Sequence, residues 1–83
     1  MEEKLIGKVI HYYGKIGVGI IELSGTLRVG NQIRIKGHGV DFEQEVESIQ
    51  IEHKNVNEAK KGESIGVKVG QKVKEGDEVY LIS

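Results

Sequence analysis

Apolar residues recur at every second position along most of this 83-residue chain. The alternation is plain in Ile33-Arg34-Ile35-Lys36, in Ile65-Gly66-Val67-Lys68-Val69 and in Glu78-Val79-Tyr80-Leu81. A period of two sends alternate side chains to opposite faces, which is the pattern of a half-buried strand. The same reading predicts strands from Leu5 to Tyr13 and from Ile16 to Leu23, and a longer one from Phe42 to His53. No segment carries a helical stripe, and at most one short turn fits between Asn55 and Lys61. Six short strands joined by glycine turns predict an all-β chain folded as a closed or nearly closed antiparallel barrel.

The long segment carries a clue to register. Phe42, Gln44 and Val46 share one face and Glu43, Glu45 and Glu47 the other, yet Ile49 and Ile51 are apolar at the opposite parity. A one-residue slip keeps them inside, so a β-bulge near Glu47-Ser48 is expected to bend the strand round a barrel corner. A second pattern occurs three times, in Leu27-Arg28-Val29-Gly30-Asn31-Gln32-Ile33, Ala59-Lys60-Lys61-Gly62-Glu63-Ser64-Ile65 and Val73-Lys74-Glu75-Gly76-Asp77-Glu78-Val79. An apolar anchor precedes a basic residue, any residue, glycine, two polar residues and an apolar strand residue. Glycine fits where a turn needs positive φ. The unequal spacing makes this reused turn chemistry rather than a solenoid repeat. Gly62 and Gly66 are both expected to resist a side chain, through turn strain and crowding at the barrel wall.

Composition narrows the picture. Residues 1–83 make a single domain, 37% apolar and 30% charged, with 12 glycines and no proline. Absent cysteine excludes disulfides and thiolate metal sites. The start is acidic and no apolar run approaches the ~18 residues of a membrane span, so a cytoplasmic protein without membrane contact is expected. Net charge is −1 but uneven. Residues 1–40 hold six basic and three acidic groups, whereas residues 41–63 hold three basic and seven acidic. Such asymmetry can mark a basic contact face opposite an acidic one.

Catalytic constellations are lacking. Gly25 to Gly30 has P-loop spacing, but Asn31-Gln32 stands where lysine and a hydroxyl would hold phosphate and magnesium. Glu22 and Phe42 take the third glycine of the two incomplete GxGxxG stretches at Gly17-Val18-Gly19 and Gly37-His38-Gly39. His11, His38 and His53 show no metal-ligand spacing. His11 is expected to be a barrel-end residue bonded to backbone, and His38, between two glycines, to be a contact residue at a loop tip. The row Asp41, Glu43, Glu45, Glu47 reads as a solvated strand exterior. No enzyme activity, cofactor, metal or nucleotide is expected.

Three pieces in order point to a family. Gly25-Thr26-Leu27-Arg28-Val29-Gly30-Asn31-Gln32-Ile33, Val46-Glu47-Ser48-Ile49-Gln50-Ile51 and Gly62-Glu63-Ser64-Ile65-Gly66 resemble elements of the second domain of elongation factor Tu and related translational GTPases. The same module is similar to the carboxy-terminal barrel of some collagenase-like peptidase-family proteins, several of which act in RNA modification. The resemblance implies a six- or seven-stranded antiparallel barrel of the translation-protein type. P-loop, DxxG and NKxD elements are missing, so no GTPase activity carries over. The implied function is a noncatalytic binding module of translation-factor type, weakly contacting tRNA, ribosomal RNA or a ribonucleoprotein. Lys8, Lys15, Arg28, Arg34, Lys36 and His38 would then meet phosphates. Tyr12 and Tyr13 are adjacent, so one faces outward and can stack on a base; Tyr12 is placed in the contact set. The alternative is a protein-interaction module that docks onto a larger enzyme, through the acidic strand Asp41 to Glu47 or the apolar end Val79 to Ile82.

Overall fold

A computed structural model describes residues 2–37 and 39–82; His38, a predicted contact, lies outside the described residues. The chain runs through β1 (Glu3–Tyr13), β2 (Val18–Leu23), β3 (Leu27–Arg28), β4 (Gln32–Gly37) and β5 (Val40–Glu45). It continues through β6 (Ile49–Ile51), β7 (Lys54–Val56), β8 (Glu58–Ala59), β9 (Ser64–Lys68) and β10 (Glu78–Ile82). Eight segments form one sheet in the order β5-β4-β10-β1-β2-β9-β6-β7, and β3 pairs with β8 beside it. Every pairing is antiparallel. The expected all-β antiparallel barrel is present, with its short segments β3, β7 and β8 added to the longer strands.

The three turns of shared grammar are built alike. Gly30, Gly62 and Gly76 have φ of 96°, 92° and 92°. In each turn the polar residue after glycine closes an i to i+3 bond: Asn31 to Arg28, Glu63 to Lys60 and Asp77 to Lys74, all at 3.1 Å. Its side chain then accepts from the backbone N–H of that same basic residue, at 2.8, 2.7 and 2.8 Å. Glycine at the third position of such a turn supplies the positive φ that a side chain resists. The glycine N–H donates to a distant carbonyl in every case, of Val46, Leu23 or Val9. Each turn is therefore stitched to the wall and flanked by buried anchors, Leu27 and Ile33, Ala59 and Ile65, Val73 and Val79.

Fifteen buried aliphatic residues fill the barrel, with Tyr12, Phe42, Ile51, Val56 and Leu81 packed partly against them. Burying one Val or Ile contributes roughly 1.5–3 kcal/mol, so this core carries the fold.

Two sequence expectations change here. The corner between Phe42 and His53 is a complete break rather than a bulge: Val46, Glu47 and Ser48 belong to neither strand. β5 pairs with β4, whereas β6 pairs with β9 and β7, so the chain changes partners instead of bending one ladder. Val46 exchanges backbone bonds with Gly30 and Asn31 at this corner. The Gln44 amide joins β5 to the end of β9, donating to Lys68 O at 2.7 Å and accepting from Gly70 N at 2.9 Å. The bulges lie in β1 instead, between Leu5 and Gly7 and between Val9 and His11. They shift parity, so Ile6 and Val9 are buried while Leu5, Ile10 and His11 are exposed. His11 is accordingly exposed, its ring centroid 4.4 Å from that of Tyr13 and its Nδ1 3.8 Å from Glu75 Oε1, rather than bonded to backbone.

Candidate functional site

The outer face of β2, β9 and β6 carries a groove of about 510 Å³. Cross-strand register sets Ile20 opposite Gly66, and Gly66 opposite Gln50. Val18, opposite Lys68, and Ser64, opposite Glu22, lie two residues to either side on the same face. Tyr13 and Ile16 wall one side, 49% and 63% exposed, and Glu52 and His53 wall the other. Strand alternation explains the apolar floor, because Val18 and Ile20 have the parity opposite to buried Ile21.

Glu52 and His53 form the two-residue connection of the β6–β7 hairpin, with Ile51 paired to Lys54. Their φ values are 50° and 66°. This turn needs left-handed backbone at both central residues, where Asn-Gly is the usual solution. His53 therefore occupies a turn, not the end of one long strand.

Elsewhere the surface is tied down. Arg34 on β4 donates from Nε and Nη2 to the two Asp41 oxygens at 2.7 and 2.8 Å, and from Nη1 to Glu3 Oε2 at 2.6 Å. A forked guanidinium fits a carboxylate in this way. These bonds hold Asp41 and Glu3 below the ordinary carboxylate range and push Arg34 above its own. Lys36 Nζ lies 3.7 Å from Glu3 Oε1 and 5.3 Å from the Tyr80 ring centroid. The Tyr80 hydroxyl donates to Glu78 Oε1 at 3.0 Å, which raises its pKa.

The predicted contact residues are not brought together. Arg34 and Lys36 sit in this carboxylate network, and Arg28 is ion-paired with Glu58. Lys8 is exposed beside a smaller hollow shared with Leu5 and Glu22. Lys15 is exposed in the turn next to Ile16. Tyr12 is half-buried against the core, so Tyr13 is the tyrosine that faces outward. The groove residues Gly66, Glu52 and His53 were missed as a set; the signal at hand was that one of the adjacent Tyr12 and Tyr13 must face outward. Among the described residues no group of three His, Asp or Glu could hold a metal, and no helix is long and apolar enough to cross a membrane.

Residues 14–72 match the family model of elongation factor Tu domain 2. The chain belongs to that family. It is a barrel module rather than a catalytic domain. The curated relatives include an uncharacterized protease of Methanocaldococcus jannaschii, 47% identical over 78 residues, which are 93% of this chain and 19% of that protein. A collagenase of Porphyromonas gingivalis is 38% identical over 82 residues, covering 95% of this chain and 22% of the collagenase. The chain thus spans about a fifth of the length of these relatives. The family barrel also superposes on the C-terminal domain of a Geobacillus thermoleovorans U32 peptidase with a TM-score of 0.90 at 18% identity. That likeness covers 96% of this chain and 93% of the other.

Proposed function

We propose that this barrel is a noncatalytic docking module that seats on the larger body of a peptidase-family protein. The observation that carries the reading is the share of each relative it accounts for. Nearly all of the chain aligns with the protease, yet four-fifths of that protease lies outside the match. In that relative the segment matching the barrel is one part of a much larger chain, which supports a role beside a larger body. The groove supplies the contact surface: Tyr13 and Ile16 are large, apolar and exposed beside half-buried Val18 and Ile20. An apolar centre with polar edges is the anatomy of a protein contact.

Ion pairing weighs against weak tRNA or ribosomal-RNA contact through Lys8, Lys15, Arg28, Arg34 and Lys36. Three of those five cations already face carboxylates, which lowers the positive potential offered to phosphates. The test is association with the Methanocaldococcus jannaschii protease from which the segment matching this chain has been removed. A complex with a dissociation constant on the order of micromolar is expected by calorimetry, and the intact protease should bind less. Absence of association, together with salt-sensitive retention on tRNA, would reverse the assignment in favour of RNA.

A further inference from the structure

Resting on that docking reading, we infer that the groove takes an extended peptide of the partner with the pattern acidic, any, aromatic, any, basic. The first observation is Gly66. It sits inside β9, where glycine weakens a strand. Its φ is not positive, so the backbone does not require it. A Cβ there would lie 3.4 Å from Val18 Cγ1 and 3.6 Å from Ile20 Cδ1, which is contact rather than collision. Neither conformation nor packing accounts for this glycine. What its missing side chain does is leave a hollow midway along the groove, between Ile20 and Gln50.

The second observation is the Glu52-His53 turn. Left-handed backbone disfavours both residues, and strain of this kind collects at functional sites. Both residues line the groove, where Asn-Gly would offer no such walls.

Charge then fixes the occupant. One end of the groove has Lys68 opposite Val18, with Lys15 in the adjoining turn. The other end has Glu52 on the far side of the groove from β2; Glu22, opposite Ser64, borders that end while facing Lys8 on β1 at the neighbouring hollow. None of Lys15, Lys68, Glu22 and Glu52 is held in an ion pair among the described residues. Val18 and Glu22 are four residues apart on β2, about 13 Å at strand rise. An extended peptide spans that distance between residues i and i+4, with residue i+2 over the Gly66 hollow. An acidic group meets the lysine end, a basic group the glutamate end, and an aromatic ring fills the centre. A continuing nucleic-acid strand would meet the carboxylates after its first phosphate.

The probe is a fluorescein-labelled peptide with aspartate, serine, phenylalanine, serine and lysine as its central five residues, measured by anisotropy. It should bind at least about tenfold tighter than versions with aspartate or lysine at both ends. Gly66→Val should weaken it about tenfold while the circular-dichroism spectrum is retained. Should that variant not fold, Ile16→Ser serves, since Ile16 is exposed and outside the core. Lys15→Glu with Lys68→Glu should switch preference to the peptide with lysine at both ends. Equal binding of the same-charge peptides, or unchanged binding by Gly66→Val and Ile16→Ser, would overturn the inference. So would adenosine monophosphate binding in the groove where the peptide does not. Association with the truncated protease that Gly66→Val leaves intact removes this inference and keeps the docking reading. Peptide binding without that association does the reverse.

Discussion

The two outer sides of the barrel handle their side chains in opposite ways. On the side of β4, β5 and β10, Arg34 is shared between Asp41 and Glu3, and Lys36 stands between Glu3 and Tyr80. On the side of β2, β9 and β6, Tyr13 and Ile16 are exposed, a glycine sits inside a strand and the turn residues are strained. The first side ties its two β4 cations to carboxylates within the chain. The second retains features that weaken the isolated fold, and such departures are expected where a surface serves a partner. Sheet position alone does not cause the difference, because both sides are built from the same alternating strands over one aliphatic core.

The contrast is sharpest at glycine. At Gly37, on the paired side, a Cβ would lie 1.8 Å from Asp77 Oδ1 and 2.3 Å from its Cγ. Asp77 is buried and accepts from Lys74 N, so it cannot give way cheaply. Gly37→Ala should therefore destabilise by about 2–3 kcal/mol, read as a lower midpoint in urea. Gly62→Ala should lose about 1 kcal/mol, through its φ of 92° alone, since a Cβ there meets nothing within 4 Å.

Replacing Glu52-His53 by Asn-Gly should gain about 1 kcal/mol, raising the melting temperature by roughly 4–8 °C. A fall in stability would show that the two side chains support the hairpin rather than burden it. Acid should act mainly on the paired side. Glu3 and Asp41 are held below their ordinary pKa, so their contribution is present above the ordinary carboxylate range. It is lost as pH falls through that range toward their lowered values. Glu3→Gln with Asp41→Asn should flatten the acid limb of stability against pH, and an unchanged limb would place the sensitivity elsewhere. The smallest effect is expected at Gly66→Ala, within about 0.5 kcal/mol of the parent. A loss as large as that of Gly37→Ala would erase the distinction between the two sides.

Gly66 also shows where sequence reading stops. Its place at the end of Gly62-Glu63-Ser64-Ile65-Gly66 suggested the same intolerance as Gly62. Only Gly62 has the positive φ, whereas Gly66 lines the groove and a Cβ there would make ordinary contact with Val18 and Ile20. Likewise the outward tyrosine could not be read from alternation, because the bulge between Val9 and His11 resets the parity that Val9 sets. The turns were fully legible, since anchor, glycine and capping residue lie within seven consecutive positions.

What the sequence determined by itself was short-range: the period of two, the three glycine turns, the aliphatic anchors beside them and the family they resemble. Each follows from sterics and hydrogen bonds among residues a few positions apart. What the tertiary structure alone decided was which charges pair and where the groove lies. Arg34 reaches Glu3 across 31 positions, and the groove takes its lining from segments between Tyr13 and Gly66. Those encounters depend on strand register and bulges, which are settled by burying one common core. A charged residue on a strand exterior has the same sequence signature whether a carboxylate awaits it or open water does.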